Sequence, residues 1–370
     1  MAPRIVVFGA SGYTGRLVVA SLLARGVDPV LAGRSAASLQ PLAAPNGLTY
    51  RTADATDPST VRALVGAGDV LVSTVGPFSR YGYAAAAAAA DAGAHYVDST
   101  GEVDFVQQLQ EQFSDRAAAN GATMVPAFGY DYVPGVLAGA LAAQAAGTPG
   151  GYLRIGYFAL GSLRRGISGG TRATLAEALT RPTAVYRSGS LFTRRMGSAS
   201  YEFRVQDRRR QAFLAMGTEV LFLPGTYPVL AAVEVYNGWF PALARVAGPL
   251  TRAASALQRL PGGRKALARA ASLRGLPGGG PDERERSRSG SYTVANLSDS
   301  RGYTAVEVRL QGPNVYTLTG ELLAEAAVAL RDGHAGASGV QGPVGAFGLE
   351  GLTALSARAG LRVLSTGSRR

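Results

Sequence analysis

Apolar positions in the first 130 residues come in short β-branched bursts, separated by stretches that repeat every three to four residues. The burst "RIVVF" (4–8) predicts a buried strand, and "RLVVASLLARG" (16–26) predicts a helix that stops at a glycine. The alternation continues, with strands predicted over 28–34, 47–54, 69–76, 94–101 and 121–129. Helices are predicted between them, including the alanine run 84–90 and residues 102–119. This pattern implies an α/β fold, a Rossmann-type doubly wound parallel sheet with helices on both faces. From about residue 150 the pattern shifts to longer strands, predicted over 151–160, 198–205, 290–299 and 303–312, which read as a second α+β domain with a mainly antiparallel sheet. A helix is predicted over 319–333. The expected organisation is a nucleotide-binding domain over 1–149, an α+β domain over 150–318 and a helical segment, 319–370, packing back on the first domain.

The turn between the first strand and helix reads "GASGYTG" (9–15). A strand, a glycine-rich turn and a helix in that order open a dinucleotide-binding unit. Gly9 allows a sharp turn, Gly12 lets the backbone approach a pyrophosphate, and Gly15 lets the helix pack close to the strand. Ser11, Tyr13 and Thr14 complete the candidate phosphate loop, whose N–H groups at the helix start face the phosphates. The second strand ends "LAGRS" (31–35) without the carboxylate that an NAD site places there. Arg34 offers a cationic fork for a 2′-phosphate and Ser35 a hydroxyl, so the expected cofactor is NADP(H). Asp54 is a candidate for the adenine amino group. Thr74, Gly76, Pro77 and Phe78, in "STVGPFSRYG" (73–82), fall where the nicotinamide half is expected, at the carboxyl edge of the sheet.

Composition narrows the chemistry. The chain of 370 residues has no cysteine, which removes disulfides, thiolate metal sites and cysteine nucleophiles. Its two histidines, His95 and His334, argue against a histidine-rich metal site, and no metal is expected. Lys265 is the only lysine, and Pro261 stands four positions before it, so the Tyr-x-x-x-Lys pair of short-chain dehydrogenases is absent. The loop is also similar to that of phosphorylating semialdehyde reductases, whose thioester step needs a cysteine. The formal net charge of +12 is almost all arginine. It lacks the basic–aromatic interleaving of single-strand binders, so no nucleic-acid partner is expected. No apolar run reaches the length of a membrane span. With the phosphate loop so close to the N-terminus, no secretory signal is expected either, and a cytoplasmic location follows.

Seven motifs in order carry a resemblance that runs nearly end to end: "GASGYTGR" with "LAGRS", "VGPFSRYG", "YVDSTGE", "PAFGYDYVPG", "SGGTRATLAEAL", "PGGGPDERERSRSG" and "YTLTGELLAEAAVAL". The chain resembles the saccharopine dehydrogenase-like oxidoreductases, and within them the trans-acting enoyl reductase group. Two departures, a loose "VQGPVGAFG" (340–348) and Tyr132 in place of a small polar residue, bear on substrate rather than on fold. The resemblance implies NADPH-dependent reduction of an α,β-unsaturated acyl or polyketide-type substrate presented by a separate synthase, free or bound to a carrier protein. Imine reduction of the saccharopine type is the alternative within enzymes, and a non-catalytic nucleotide-binding protein at lipid surfaces is the alternative outside them. Enoyl reduction needs donors for the developing enolate and a proton for the α-carbon. Tyr81 and Tyr130 are the candidate proton donors. Thr100, Tyr132, Asp98, Glu102 and Asp131 lie in the same motifs, with Asp98 and Glu102 expected to fix loop geometry.

One segment stands apart. Between residues 235 and 281 there are seven basic residues and no acid, and Arg245, Arg252 and Arg259 repeat at seven-residue spacing beside an apolar stripe that starts at Trp239 and Phe240. A basic amphipathic helix over 237–276 would contact an anionic membrane or an acidic carrier protein. The same stripe also fits a helix that packs inward.

Overall fold

The computed structural model describes residues 2–146, 151–161, 182–239, 279–299 and 301–368, with a few isolated positions between 248 and 260. The chain divides into two compact units, Met1–Val133 with Val315–Leu361, and Pro134–Asn314 with Arg362–Arg370.

The first unit is built on seven parallel strands in the order β15-β6-β5-β4-β1-β2-β3. They are β1 (Ile5–Phe8), β2 (Val30–Gly33), β3 (Tyr50–Thr52), β4 (Val70–Ser73), β5 (His95–Asp98), β6 (Thr123–Val125) and β15 (Gly339–Val340). β1, β2 and β4 are buried at every position, as strands covered on both faces must be, which is why they read as continuous apolar bursts. Helices α1 (Tyr13–Leu23), α2 (Ala36–Ala43), α3 (Pro58–Arg62), α4 (Phe78–Ala92) and α5 (Val103–Ala119) connect them. On one face, Val6, Phe8, Leu71, Tyr96 and Met124 pack against the buried alanines of α4 and against Phe105, Leu109 and Phe113 of α5.

Helix α9 (Val315–Arg331) returns from the far end of the sequence and runs parallel to α1. The Tyr13 and Tyr316 rings meet edge to face at 5.2 Å. One turn on, a Cβ at Gly320 would lie 2.9 Å from the Leu17 Cβ, so glycine is what permits the close approach. Further on, Arg25 pairs with Glu321 at 2.6 Å and Glu325 at 2.8 Å. Both helices therefore begin at the same end of the sheet. Helix α10 (Pro343–Arg358) adds Phe347, whose ring lies 5.4 Å from that of Phe128.

The second unit is a mixed, mostly antiparallel sheet of nine strands. These are β7 (Gly151–Leu160), β8 (Pro182–Arg187), β9 (Ser190–Arg195), β10 (Ser200–Val205), β11 (Arg208–Ala215), β12 (Leu230–Asn237), β13 (Gly290–Ser298), β14 (Thr304–Pro313) and β16 (Arg362–Ser368). The main path is β10-β11-β12-β7-β13-β14-β16, and among the described strands of this sheet only β12 and β7 pair in parallel. Helices α6 (Val133–Ala146), α7 (Glu219–Thr226) and α8 (Glu283–Ser287) belong to this part of the chain. Asp282 and Glu285 close a reciprocal capping box at the start of α8.

The unit limits differ from the expected ones. The first division falls after Val133 rather than at 149, because α6 joins the second unit. The returning segment starts at Val315 rather than 319, and its last part, expected to be helical, is β16, paired with β14 in the second sheet. The expected basic segment over 237–276 and the motif 168–179 lie, apart from a few positions, outside the described residues. No helix among the described residues is long and apolar enough to cross a membrane.

Candidate functional site

In the strand order of the first sheet, β1 lies between β4 and β2, and the chain leaves it in opposite directions. The crevice above the carboxyl end of β1 is where open α/β sheets bind ligands. The loops after β1, β2 and β4 all open there.

Gly9 has φ +89°, and a Cβ on it would lie 2.6 Å from Thr74 Oγ1, so glycine is required on both counts. A Cβ at Gly15 would meet the Gly9 carbonyl oxygen at 2.2 Å, which fixes α1 tightly under the loop. Gly12 differs. Its backbone is extended, it is the exposed N-cap of α1, and the nearest atom to a Cβ there is the Gly9 oxygen at 3.1 Å. No side chain caps α1 and its first turn holds no acid. This helix start therefore keeps its positive end for an anion. Ser11 gives its carbonyl to Arg16 Nε at 3.0 Å, and Thr14 is half-buried in the first turn. Thr74 does not display its hydroxyl. Its Oγ1 lies 3.1 Å from the Phe8 oxygen and 3.2 Å from that of Gly9, tying the end of β4 to the loop.

Arg34 and Ser35 are exposed at the end of β2. Ser35 is the N-cap of α2 but makes no side-chain cap bond, and Arg34 has no ion pair among the described residues. A Cβ at Gly33 would make only ordinary contact with Leu39, at 3.6 Å, so that glycine is not sterically demanded. Asp54 commits Oδ1 to the Thr56 N–H at 2.9 Å and the Thr56 hydroxyl at 2.8 Å. Those two bonds, with a smaller pull from Arg34, hold its carboxyl below the usual range.

Gly76 is exposed and Pro77 is the N-cap of α4. Phe78 points inward, its ring 5.7 Å from that of Phe105, so it packs the core. The start of α4 is held by Glu102, whose Oε1 accepts the Phe78 N–H at 2.7 Å and Oε2 the Ser79 N–H at 3.0 Å. Glu102 thus caps a different helix from the one it precedes in sequence. Asp98, fully buried, accepts the Thr100 and Ala127 N–H groups at 2.9 and 2.8 Å and the Tyr96 hydroxyl at 2.8 Å. Burial still raises its pKa to about 6. Its bond to Ala127 holds that residue at φ 58°, a conformation alanine rarely adopts.

Tyr81 is half-buried one turn into α4, with the Arg80 guanidinium 5.0 Å from its ring centre. Tyr130 is only 2% exposed, and its N–H is held by Thr319 Oγ1 at 3.1 Å. The two tyrosines follow β4 and β6, with β5 between those strands, a lateral spacing of about 10 Å. Tyr132 donates its hydroxyl to the Gly101 oxygen at 2.9 Å. Asp131, between the two tyrosines, is raised to about 7 by burial. The role of α9 beside the loop, through Tyr316 and Thr319, was not legible locally, because its partners are some 190 to 300 residues away in sequence. Among the described residues no group of three or more histidines or carboxylates could hold a metal ion.

Residues 5–125 match the saccharopine dehydrogenase NADP-binding domain family. The matched stretch lies within the first unit and is similar to that NADP-binding domain. The uncapped start of α1, the exposed Gly12 and Arg34, which has no ion pair among the described residues, are placed so that they could hold a phosphorylated dinucleotide. A Mycobacterium tuberculosis relative bearing the name trans-acting enoyl reductase is 38% identical over 184 residues, 48% of this chain and 44% of its own. The trans-acting enoyl reductase of Mycobacterium leprae is 39% identical over 137 residues, 35% of this chain and 33% of its own. The chain thus matches less than half the length of these curated relatives. Beyond the NADP-binding domain, the fold is similar to that of saccharopine dehydrogenase (L-Glu forming) from Saccharomyces cerevisiae. That similarity has a TM-score of 0.66 at 13% identity and covers 99% of this chain and 100% of the other.

Proposed function

We propose that this protein is an NADP(H)-dependent oxidoreductase that reduces the C=C bond of an α,β-unsaturated acyl or polyketide-type substrate. The observation that carries the cofactor half is the uncapped α1 start, together with an exposed Arg34, at the end of the neighbouring strand, that has no ion pair among the described residues. In this reading Gly9, Ser11, Gly12, Tyr13, Thr14 and Gly15 form the pyrophosphate cradle, and Arg34 and Ser35 hold the 2′-phosphate. Asp54 keeps one carboxylate oxygen for the adenine. The loop after β4 shapes the nicotinamide half, with Gly76 leaving room and Thr74, Pro77 and Phe78 fixing its course.

The nicotinamide, when bound, supplies the hydride. The protein's part is to orient the substrate, donate hydrogen bonds to the developing enolate oxygen and deliver a proton to the α-carbon. Tyr81 is favoured as the proton donor because its side chain is half-buried rather than sealed. Tyr130, at 2% exposure, acts in this account through the shape of the loop after β6. The reading draws its substrate class from the relatives' name, trans-acting enoyl reductase, which also suggests a substrate presented by a separate synthase.

The test is NADPH consumption by the full chain with a panel of enoyl thioesters and a panel of imines formed from amino acids and oxo-acids. Turnover with enoyl thioesters alone supports the proposal. Turnover with imines alone transfers the activity to C=N reduction, and NADPH binding without turnover on either panel overturns the enzymatic reading.

A further inference from the structure

One face of the second sheet carries a polar row. Glu234 on β12, Arg154 on β7, Asn296 on β13 and Glu307 on β14 stand directly opposite one another on four consecutive strands. Elsewhere the same face is apolar, with Phe158, Tyr292 and Val294 in a buried cluster with Phe203. A row of charges beside such a cluster is unusual enough to need a reason.

Glu234 is its centre. Its Oε1 accepts Arg187 Nη2 at 2.9 Å and Arg194 Nη1 at 3.3 Å. Its Oε2 accepts the Tyr236 hydroxyl at 2.7 Å and lies 3.9 Å from Arg154 Nε. Burial works to raise the Glu234 pKa, but the Tyr236 hydroxyl and Arg187 outweigh it and hold the carboxylate ionised below its usual range. Three guanidiniums around one carboxylate leave two positive charges without a counter-ion among the described residues. Glu307 does not supply one, because it is bonded to Arg309. Arg154 is fixed further by the Tyr201 ring, 5.0 Å away, and by Ser298 Oγ at 3.4 Å. Side-chain exposure climbs outward, from 8% at Glu234 to 26% at Arg154, 33% at Arg194 and 52% at Arg187. The result is a buried anchor with guanidinium forks at its rim.

A second observation points the same way. Asn296, opposite Arg154 and 5% exposed, has a side-chain oxygen with no hydrogen-bond partner among the described residues. Buried amides are normally satisfied, and turned by 180° this one would present N–H donors instead. Neutralising Glu234 needs one guanidinium. Three, with an unsatisfied amide next to them, form a site for something more negative. Planar guanidinium forks match phosphate oxygens, and two uncompensated charges match a dianion.

We propose that Arg187, Arg194 and Arg154, with Asn296, bind a phosphate group in the second unit, separate from the phosphate loop of the first. Free phosphate or the phosphate of a pantetheine arm carrying a thioester substrate could supply it. The second source rests on the reductase reading above, whereas the site itself does not.

The experiment titrates the full chain, saturated with NADP+ so that the first unit's loop is filled, with inorganic phosphate, pantetheine 4′-phosphate and, as a monoanion control, acetate. Saturable phosphate binding is expected, with acetate at least about tenfold weaker. Pantetheine phosphate binding about tenfold tighter than inorganic phosphate assigns the arm, and equal affinities assign free phosphate. Arg187→Gln with Arg194→Gln, both at the rim, should weaken binding about tenfold or more and leave NADP+ affinity unchanged. Glu234→Gln gives a test of sign, since removing the competing charge should tighten phosphate severalfold. Absence of saturable phosphate binding, or equal binding by wild type and the double variant, overturns the proposal. Phosphate binding that is lost in the double variant of a protein inactive on enoyl thioesters would keep this site while removing the reductase reading.

Discussion

Removing the Glu102 carboxylate should loosen the first turn of α4 and with it the loop that leads to Tyr81. The helix has no cap of its own, since Pro77 occupies the N-cap position without a side-chain bond and the first turn holds no acid. Glu102, 6% exposed, takes both leading N–H groups, at 2.7 and 3.0 Å. Each hydrogen bond to a charged group contributes about 1.5–3 kcal/mol, and the helix dipole adds about 0.3–1 kcal/mol. Allowing for water entering the gap, Glu102→Ala should cost α4 roughly 3 kcal/mol. Glu102→Gln keeps one acceptor and should cost about half of that. The assay is hydrogen exchange over Phe78–Ala92 in the full chain. A 3 kcal/mol loss corresponds to protection falling on the order of 100-fold when opening is local. Protection within threefold of wild type in Glu102→Ala would refute the capping argument.

Other changes follow from the same geometry. Arg34→Ala should weaken NADPH by about 1.5–3 kcal/mol and leave NADH nearly unchanged in a binding titration, as expected for a lost charged hydrogen bond. Gly15→Ala, with its Cβ 2.2 Å from the Gly9 oxygen, should displace the loop and abolish dinucleotide binding, whereas Gly33→Ala, 3.6 Å from Leu39, should retain it. Asp131, raised to about 7 in the folded chain, is protonated there over a range in which the unfolded chain, near 3.9, is ionised. The unfolded state then binds fewer protons, so stability falls as pH rises from about 4 to about 7 and levels off above. Urea unfolding at pH 4 and pH 8 should show Asp131→Asn with a smaller fall than wild type, by roughly 2 kcal/mol after allowing for solvent near the side chain.

The first sheet was legible because buried parallel strands announce themselves as apolar bursts between helical repeats. β7 was read at its observed ends, Gly151–Leu160, because its length and composition stand out between glycines. The hairpin strands β8, β9 and β11 were not read. "RSGSLFTRR" and "DRRRQAFLA" are arginine-rich enough to look like surface loop, and only the pairing of β8 with β12 shows why Arg187 and Arg194 of the first segment gather at Glu234. Glu102 was expected to fix loop geometry, but which backbone it holds was not legible, because the N–H groups it accepts lie some 24 residues back. Side chains that act through tertiary neighbours leave no periodic trace. The phosphate loop was legible for the opposite reason, since its glycines serve contacts within a few residues and one adjacent strand.

The central claim is that hydride passes from NADPH to the carbon β to a conjugated carbonyl. The most direct measurement incubates the full chain with NADPH deuterated at the transferring carbon and an enoyl thioester, and locates the label in the product by mass spectrometry. The account predicts one deuterium on the β-carbon, and none in a reaction lacking the protein. A product without deuterium, or label appearing only when an imine replaces the thioester, would contradict it.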